Sequence, residues 1–217
     1  MKHILLFTIS AALFAQQQEP FQDLFSDIDN RGMEAARDFM YLTEDDTIKP
    51  PLKSRAILRL SVLISSEENK SHEVVAPFLQ ALGKNMHPKM DPLVRESTCQ
   101  ALASFRKTKS EDDALLLMEK ILESDFEEKV QVACTLSLGE YRNRPETATN
   151  ILLKRLEIIN AKQSTDPVDY AVTAQISRSL GELGHRKSYI PLMKILQSRY
   201  PISVKKEAQK ALKNIQW

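Results

Sequence analysis

The chain has 217 residues, of which 42% are hydrophobic, 27% charged and 6% aromatic, and its formal net charge at pH 7 is +1. That hydrophobic share excludes a wholly disordered chain, and the length fits one domain or a short array that behaves as one. Five glycines and few aromatics argue for helices and against a β-sandwich, which needs glycine-rich turns and aromatic or β-branched strands.

The first element in chain order is MKHILLFTISAALFAQQQEP, where Lys2 precedes an apolar run from Ile4 to Phe14 and the chain turns polar at Gln16. This predicts a signal peptide over residues 1–15, cleaved after Ala15 or Ala12, and places the mature chain in the periplasm or outside the cell. The 11-residue run is shorter than the roughly 20 residues a membrane span needs. No cysteine lies near the cleavage region to carry a lipid, and the competing reading is a buried first helix. Residues 16–47 follow as an acidic leader, with nine acids against Arg31 and Arg37 for a net −7. Within it RGMEAARDFMYL predicts a helix whose Met33, Ala36, Phe39 and Met40 cover the open end of whatever comes next, or alternatively a tail that orders on a partner.

What comes next is a repeated phrase. With Val94 as column zero, columns 0, 4, 7, 8 and 11 hold Val94, Thr98, Ala101, Leu102 and Phe105, then Val130, Cys134, Ser137, Leu138 and Tyr141, then Val172, Ile176, Ser179, Leu180 and Leu183. The same template matches Val204, Ala208, Ala211, Leu212 and Ile215, and earlier Leu52, Ala56, Arg59, Leu60 and Leu63. These columns lie on one face of a 3.6-period helix, so each copy predicts an amphipathic A-helix. Column 7 is small in four copies, which permits close approach of another helix, and Arg59 departs from it. Asp91-Pro92, Asp166-Pro167, Pro50-Pro51, Tyr200-Pro201 and Asp125 supply helix-entry chemistry.

Between the copies runs a second apolar phrase, in SHEVVAPFLQALG from Ser71, EDDALLLMEKILES from Glu111, TNILLKRLEII from Thr149 and KSYIPLMKILQS from Lys187. These predict B-helices, with Ser110 as the N-cap of the second. Turns are expected at SSEENKS, KTKS, RNRP and GHRK within repeats, and at NMHPKM and NAKQST between them. Column zero falls at residues 52, 94, 130, 172 and 204, and such periods belong to helical solenoids. The fold expected is all-α, an α-solenoid of stacked antiparallel helix pairs over residues 48–217, about four and a half repeats. Cys99 and Cys134 occupy adjacent columns of neighbouring copies. Parallel helices about 8–10 Å apart hold Cα atoms beyond disulfide reach, so two buried thiols are expected.

Val-Arg at 94 and 95, Ala-Leu at 101 and 102, Leu-Gly at 138 and 139, Leu-Gly-Glu-Leu-Gly at 180–184 and the Asp-Pro entries together resemble the HEAT repeat family, in particular its short bacterial members. The likeness covers about residues 48–217, with the column-one arginine replaced by Gln131 and Thr173. It implies a curved stack with A-helices outside and B-helices lining the concave side, used mainly to hold other proteins. Two enzyme families with HEAT-like repeats fit poorly. The iron-dependent deoxyhypusine hydroxylases repeat His-Glu pairs, and this chain has one, His72-Glu73. The DNA glycosylases line a groove with bases, whereas B-helices here mix Glu119, Lys120, Glu123, Lys154, Arg155 and Glu157. The short repeats also resemble those of phycobilisome lyases, although nothing marks a bilin site.

The sequence has no G-x-x-x-x-G-K-[ST], G-x-G-x-x-G or H-E-x-x-H motif, and His72, His87 and His185 fall in or beside loops without ligand-like spacing. The expectation is therefore a non-catalytic interaction scaffold with no cofactor, no metal and no nucleic-acid partner, exported to dock an envelope protein on its concave face. Its expected contact residues are Glu119, Glu123, Lys154, Arg155, Lys194 and Gln197. A second reading rests on charge. Residues 184–217 carry eight bases against Glu207, a net +7, and Lys205, Lys206, Lys210 and Lys213 share one side of the last helix. That side is either a solvated cap or a peripheral contact with an anionic polymer or membrane.

Overall fold

The structure, a computed structural model, describes residues 31–66, 69–163 and 165–216. The expected signal peptide and the first part of the leader lie outside these residues. A 3-10 turn over Gly32–Ala35 leads into α1 (Ala36–Glu44). The A-helices are α2 (Pro50–Ser65), α4 (Pro92–Leu102), α6 (Glu128–Gly139), α8 (Pro167–Leu183) and α10 (Ile202–Leu212). The B-helices are α3 (Val75–Asn85), α5 (Glu111–Ser124), α7 (Pro145–Lys162) and α9 (Tyr189–Gln197). The described residues contain no strand, and the helices pack as neighbouring pairs into an all-helical solenoid-like stack.

Entry chemistry sets where the A-helices begin. Asp91 accepts the Leu93 N–H at 2.8 Å, Asp166 that of Val168 at 2.9 Å and Asp125 that of Glu127 at 3.0 Å. Asp91 and Asp166 are N-caps, each satisfying a first-turn donor that has no partner within the helix, and the prolines that follow them lack a donor to satisfy, whereas Asp125 holds the turn just before α6. Other boundaries differ from expectation. Helix α7 starts at Pro145, inside the segment read as a turn, because a proline in the first turn begins a helix as readily here as in the A-helices. It continues through Asn160 to Lys162 and stops where Gln163 takes the left-handed conformation at φ 49°. Ser110 is the N-cap residue of α5 but makes no side-chain cap. Glu111 turns back instead to accept the Lys107 N–H at 3.1 Å, and Thr108 accepts the Ser110 N–H at 3.2 Å.

The apolar columns form one continuous core, with Val94, Val130, Val172, Val204 and the column-8 leucines Leu60, Leu102, Leu138 and Leu180 all buried. Column 7 faces the preceding A-helix. Ser137 donates to the Cys99 carbonyl at 2.7 Å and Ser179 to the Thr135 carbonyl at 2.9 Å, while the Ser54 and Ser97 hydroxyls meet at 2.5 Å. Hydroxyls this short reach a neighbour only when helix backbones nearly touch. At Gly181 a Cβ would lie 2.7 Å from the Ala211 Cα, so only glycine fits. The B-helices stand further apart. Lys154 of α7 spans to Glu119 of α5 at 2.8 Å, and Lys187, in the turn before α9, spans to Glu146 of α7 at 2.8 Å. The A-helices thus form the closely packed layer and the B-helices the looser one.

Tyr141, at column 11 and just past the end of α6, is fully buried and donates its hydroxyl to the Leu102 carbonyl of the previous repeat at 2.6 Å. Burial raises its pKa, so the donor stays protonated. Tyr141→Phe should cost about 1–2 kcal/mol in urea denaturation, since it leaves that carbonyl without its partner. Cys99 and Cys134 are free and fully buried, as expected, and the Cys134 thiol lies 3.5 Å from the Met118 carbonyl. Burial first, and then the adjacent Cys134, push the Cys99 thiol up. A thiol-reactive dye should label neither cysteine in the native protein and both after unfolding, and rapid native labelling would contradict this packing.

Candidate docking faces

The six expected contact residues separate into three groups. Glu119, Glu123 and Lys154 come together on the second layer, where the Lys154 ammonium lies 2.8 Å from Glu119 and 2.6 Å from Glu123. The two carboxylates raise the Lys154 pKa and keep it charged. This triad satisfies itself, and a partner would have to break it. Lys194 and Gln197 are exposed on α9, and Lys194 borders an open groove of about 400 Å³ with Glu157, Asn160, Ile195, Ser198 and Tyr200.

Arg155 does not belong on a surface. It is 3% exposed, and its Nε and Nη2 donate to the Gln131 Oε1 at 3.1 and 2.7 Å. Gln131 in turn donates to the Asp125 carbonyl at 2.5 Å. Burial lowers the Arg155 pKa, and the Asp169 charge opposes that shift. Lys154 and Arg155 lie about 100° apart around α7, and Lys154 falls on its exposed side while Arg155 falls on its buried side. The clue lay in column one, where the arginine found at position 95 is replaced by Gln131, whose amide needs a donor that Arg155 supplies from α7.

Column one is a ladder of polar clamps between repeats. Lys53, 2% exposed, lies 3.3 Å from Asp46 and 3.4 Å from the Asn85 Oδ1. Arg95 pairs with Asp125 of the next repeat and donates to the Met90 carbonyl at 3.3 Å. Thr173 returns to the Asp169 carbonyl at 2.7 Å, close to Tyr200, whose hydroxyl donates to Asn160 at 2.7 Å. His72, His87 and His185 play the same structural part, since each accepts through Nδ1 the N–H of the residue two positions on and so holds a turn.

On the last helix Lys206, Lys210 and Lys213 are exposed and Lys205 is half-buried. Lys210 lies 2.8 Å from Glu207, which Arg178 also approaches at 3.4 Å. No ion pair holds Lys205, Lys206 or Lys213 among the described residues.

The face that sequence reasoning missed lies on the first layer, pointing away from the B-helices. There Leu93 is 39% and Leu136 43% exposed, with Val132 and Ala174 half-buried beside them. Arg178 and Gln100 occupy the same column as Leu136 on the flanking helices. The signal was available as apolar residues at columns −1, 2 and 6, outside the buried stripe.

Among the described residues no group of three or more His, Cys, Asp or Glu could hold a metal, and no helix is long and apolar enough to cross a membrane. The fold defines a class, the all-helical repeat stack. No protein-family model matches the chain, and no curated protein sequence does. The chain is similar to the crystal structure of an engineered protein, a Northeast Structural Genomics Consortium target, with 21% identity and a TM-score of 0.52 over 83% of this chain and 88% of the other. At that identity the likeness concerns fold alone.

Proposed function

We propose that the chain is a non-catalytic scaffold of the HEAT type, exported to the periplasm or beyond, that holds another envelope protein along its first-layer face. The observation that supports this is the exposed pair Leu93 and Leu136 on adjacent A-helices, with Val132 between them. Apolar residues exposed on neighbouring helices of one layer can be covered together by a single partner. A prepacked stack also loses little entropy on binding. The test is affinity capture of the mature protein from its own cell envelope, with mass spectrometry of what accompanies it. One partner retained by the wild type and by Glu119→Lys, but lost by Leu93→Glu/Leu136→Glu, supports the reading. Equal recovery by all three proteins, or none above background at low and high salt, overturns it.

The second reading, contact with an anionic polymer or membrane, draws on Lys205, Lys206 and Lys213, which no described acid neutralises. Binding to vesicles containing anionic lipid that falls steeply with salt and with Lys206→Glu would favour it.

A further inference from the structure

The end of α7, the start of α8 and the turn that joins α9 to α10 line an open cleft of about 500 Å³. Local chemistry fixes each wall. Ser198 donates to the Ile195 carbonyl at 2.6 Å and accepts the Tyr200 N–H at 3.2 Å, so the turn before Pro201 is held from both sides. Tyr200 donates its hydroxyl to Asn160 of α7 at 2.7 Å, and its ring meets that of Tyr170 of α8 edge-on, with centroids 5.9 Å apart. Burial raises the Tyr200 pKa, so the hydroxyl keeps the proton it donates. Gln163 ends α7 at φ 49°, a left-handed backbone that costs a non-glycine residue free energy, and it lines the cleft. The groove of about 400 Å³ beside Lys194 and Glu157 shares Asn160, Ser198 and Tyr200 with this cleft, so each continues into the other.

The cleft gathers hydrogen-bonding groups that the fold does not use. Among the described residues nothing pairs with the Gln163 amide, the Tyr170 hydroxyl or the Arg199 guanidinium, and Asn160 commits its Oδ1 to Tyr200 but not its Nδ2. The two tyrosine rings add apolar surface beside these groups. Among the described residues no carboxylate lines the cleft, although the buried Asp169 acts on Tyr200, and Arg199 contributes an exposed positive charge. A concave site of this size, with aromatic walls and a few convergent polar groups, suits a small ligand. We propose that the cleft binds a sugar acid, a pyranose ring that carries a carboxylate. The C–H face of the ring covers tyrosine surface, its hydroxyls meet the Asn160 and Gln163 amides, and its carboxylate takes the Arg199 fork. A purely apolar ligand would leave the amides and the guanidinium unpaired, and a simple anion would leave the rings uncovered. Glycine would serve the turn at position 163 at less cost, so the glutamine there spends backbone strain on an amide at the rim. The cleft shares no residue with the Leu93 and Leu136 face, so the two assignments stand or fall separately.

The test is titration of the protein at neutral pH with sodium glucuronate, glucose and sodium acetate at matched ionic strength, read by backbone amide NMR shifts. Glucuronate should give saturable shifts centred on residues 159–170 and 198–201. Glucose should bind about tenfold more weakly, because it lacks the charge-assisted pair with Arg199, and acetate should not saturate over the same range. Arg199→Gln, at an exposed position, should reduce glucuronate to the affinity of glucose. Gln163→Gly should weaken glucuronate about fivefold without lowering the thermal midpoint, a combination that a merely structural glutamine would not give. No saturable shift with glucuronate, or shifts centred elsewhere, overturns the proposal. Equal binding of glucuronate and acetate also overturns it, since Arg199 would then attract any anion. Equal binding of glucuronate and glucose, or an unchanged Arg199→Gln, removes the carboxylate from the assignment and refutes it as well.

Discussion

Asp125→Ala is expected to destabilise the protein by about 3 kcal/mol, measured by chemical denaturation, because one side chain holds two elements together. Its Oδ1 accepts the Glu127 N–H at 3.0 Å and so holds the turn that enters α6, and its other oxygen pairs with Arg95 of the preceding A-helix. Both partners are shielded, with side-chain exposures of 12% for Arg95 and 7% for Asp125. Truncation would leave the guanidinium with the Met90 carbonyl as its remaining acceptor in this junction. Removing one partner of a buried pair typically costs about 3–5 kcal/mol, and the partial exposure of Arg95 places this case at the lower end. The hydrogen bond to Glu127 adds about 1 kcal/mol, which Asp125→Asn should largely retain, so asparagine should cost distinctly less than alanine. Equal losses would mean that the charge matters and the hydrogen bond to Glu127 does not.

The second large effect is a contrast between two glycines. At Gly181 a Cβ would sit 2.7 Å from the Ala211 Cα, so alanine must push α10 away as a body. Overpacking of this kind costs about 1–3 kcal/mol, which exceeds the roughly 1 kcal/mol that alanine gains over glycine in a helix. Gly181→Val should therefore lose about 3 kcal/mol and speed amide exchange in α10 before the rest of the stack. At Gly83 nothing lies within 4 Å of the added carbon, and Gly83→Ala should stabilise by about 0.5–1 kcal/mol. Opposite signs at two helical glycines would confirm that backbone proximity is the cause. Two changes of the same sign would refute it.

The repeat was legible because each A-helix buries the same columns, and a periodicity repeated five times exceeds any local ambiguity. Arg59 stood out in the sequence as the one large residue at column 7 of the five copies. The B-helices were harder. TNILLKRLEII gives a dense apolar stripe but does not say which neighbour of a charged pair faces inward, and Arg155 went to the wrong side for that reason. Which layer packs more closely was hidden for a different cause. It depends on helix spacing, which Ser137, Ser179 and Gly181 decide by their small size, and apolar periodicity alone is blind to that size. The thiol pair was read correctly because burial and column position together sufficed.

The serine hydroxyls that reach a neighbouring backbone have a mechanical consequence. Axial sliding of one A-helix along the next would break those bonds, whereas rotation about the line joining them would not. Across the B-layer the ties are long, rotatable lysine and glutamate chains that can lengthen and re-form. The soft deformation of this rod is then a fanning of its outer leaves about a fixed spine, which would widen or narrow its grip without shearing any repeat.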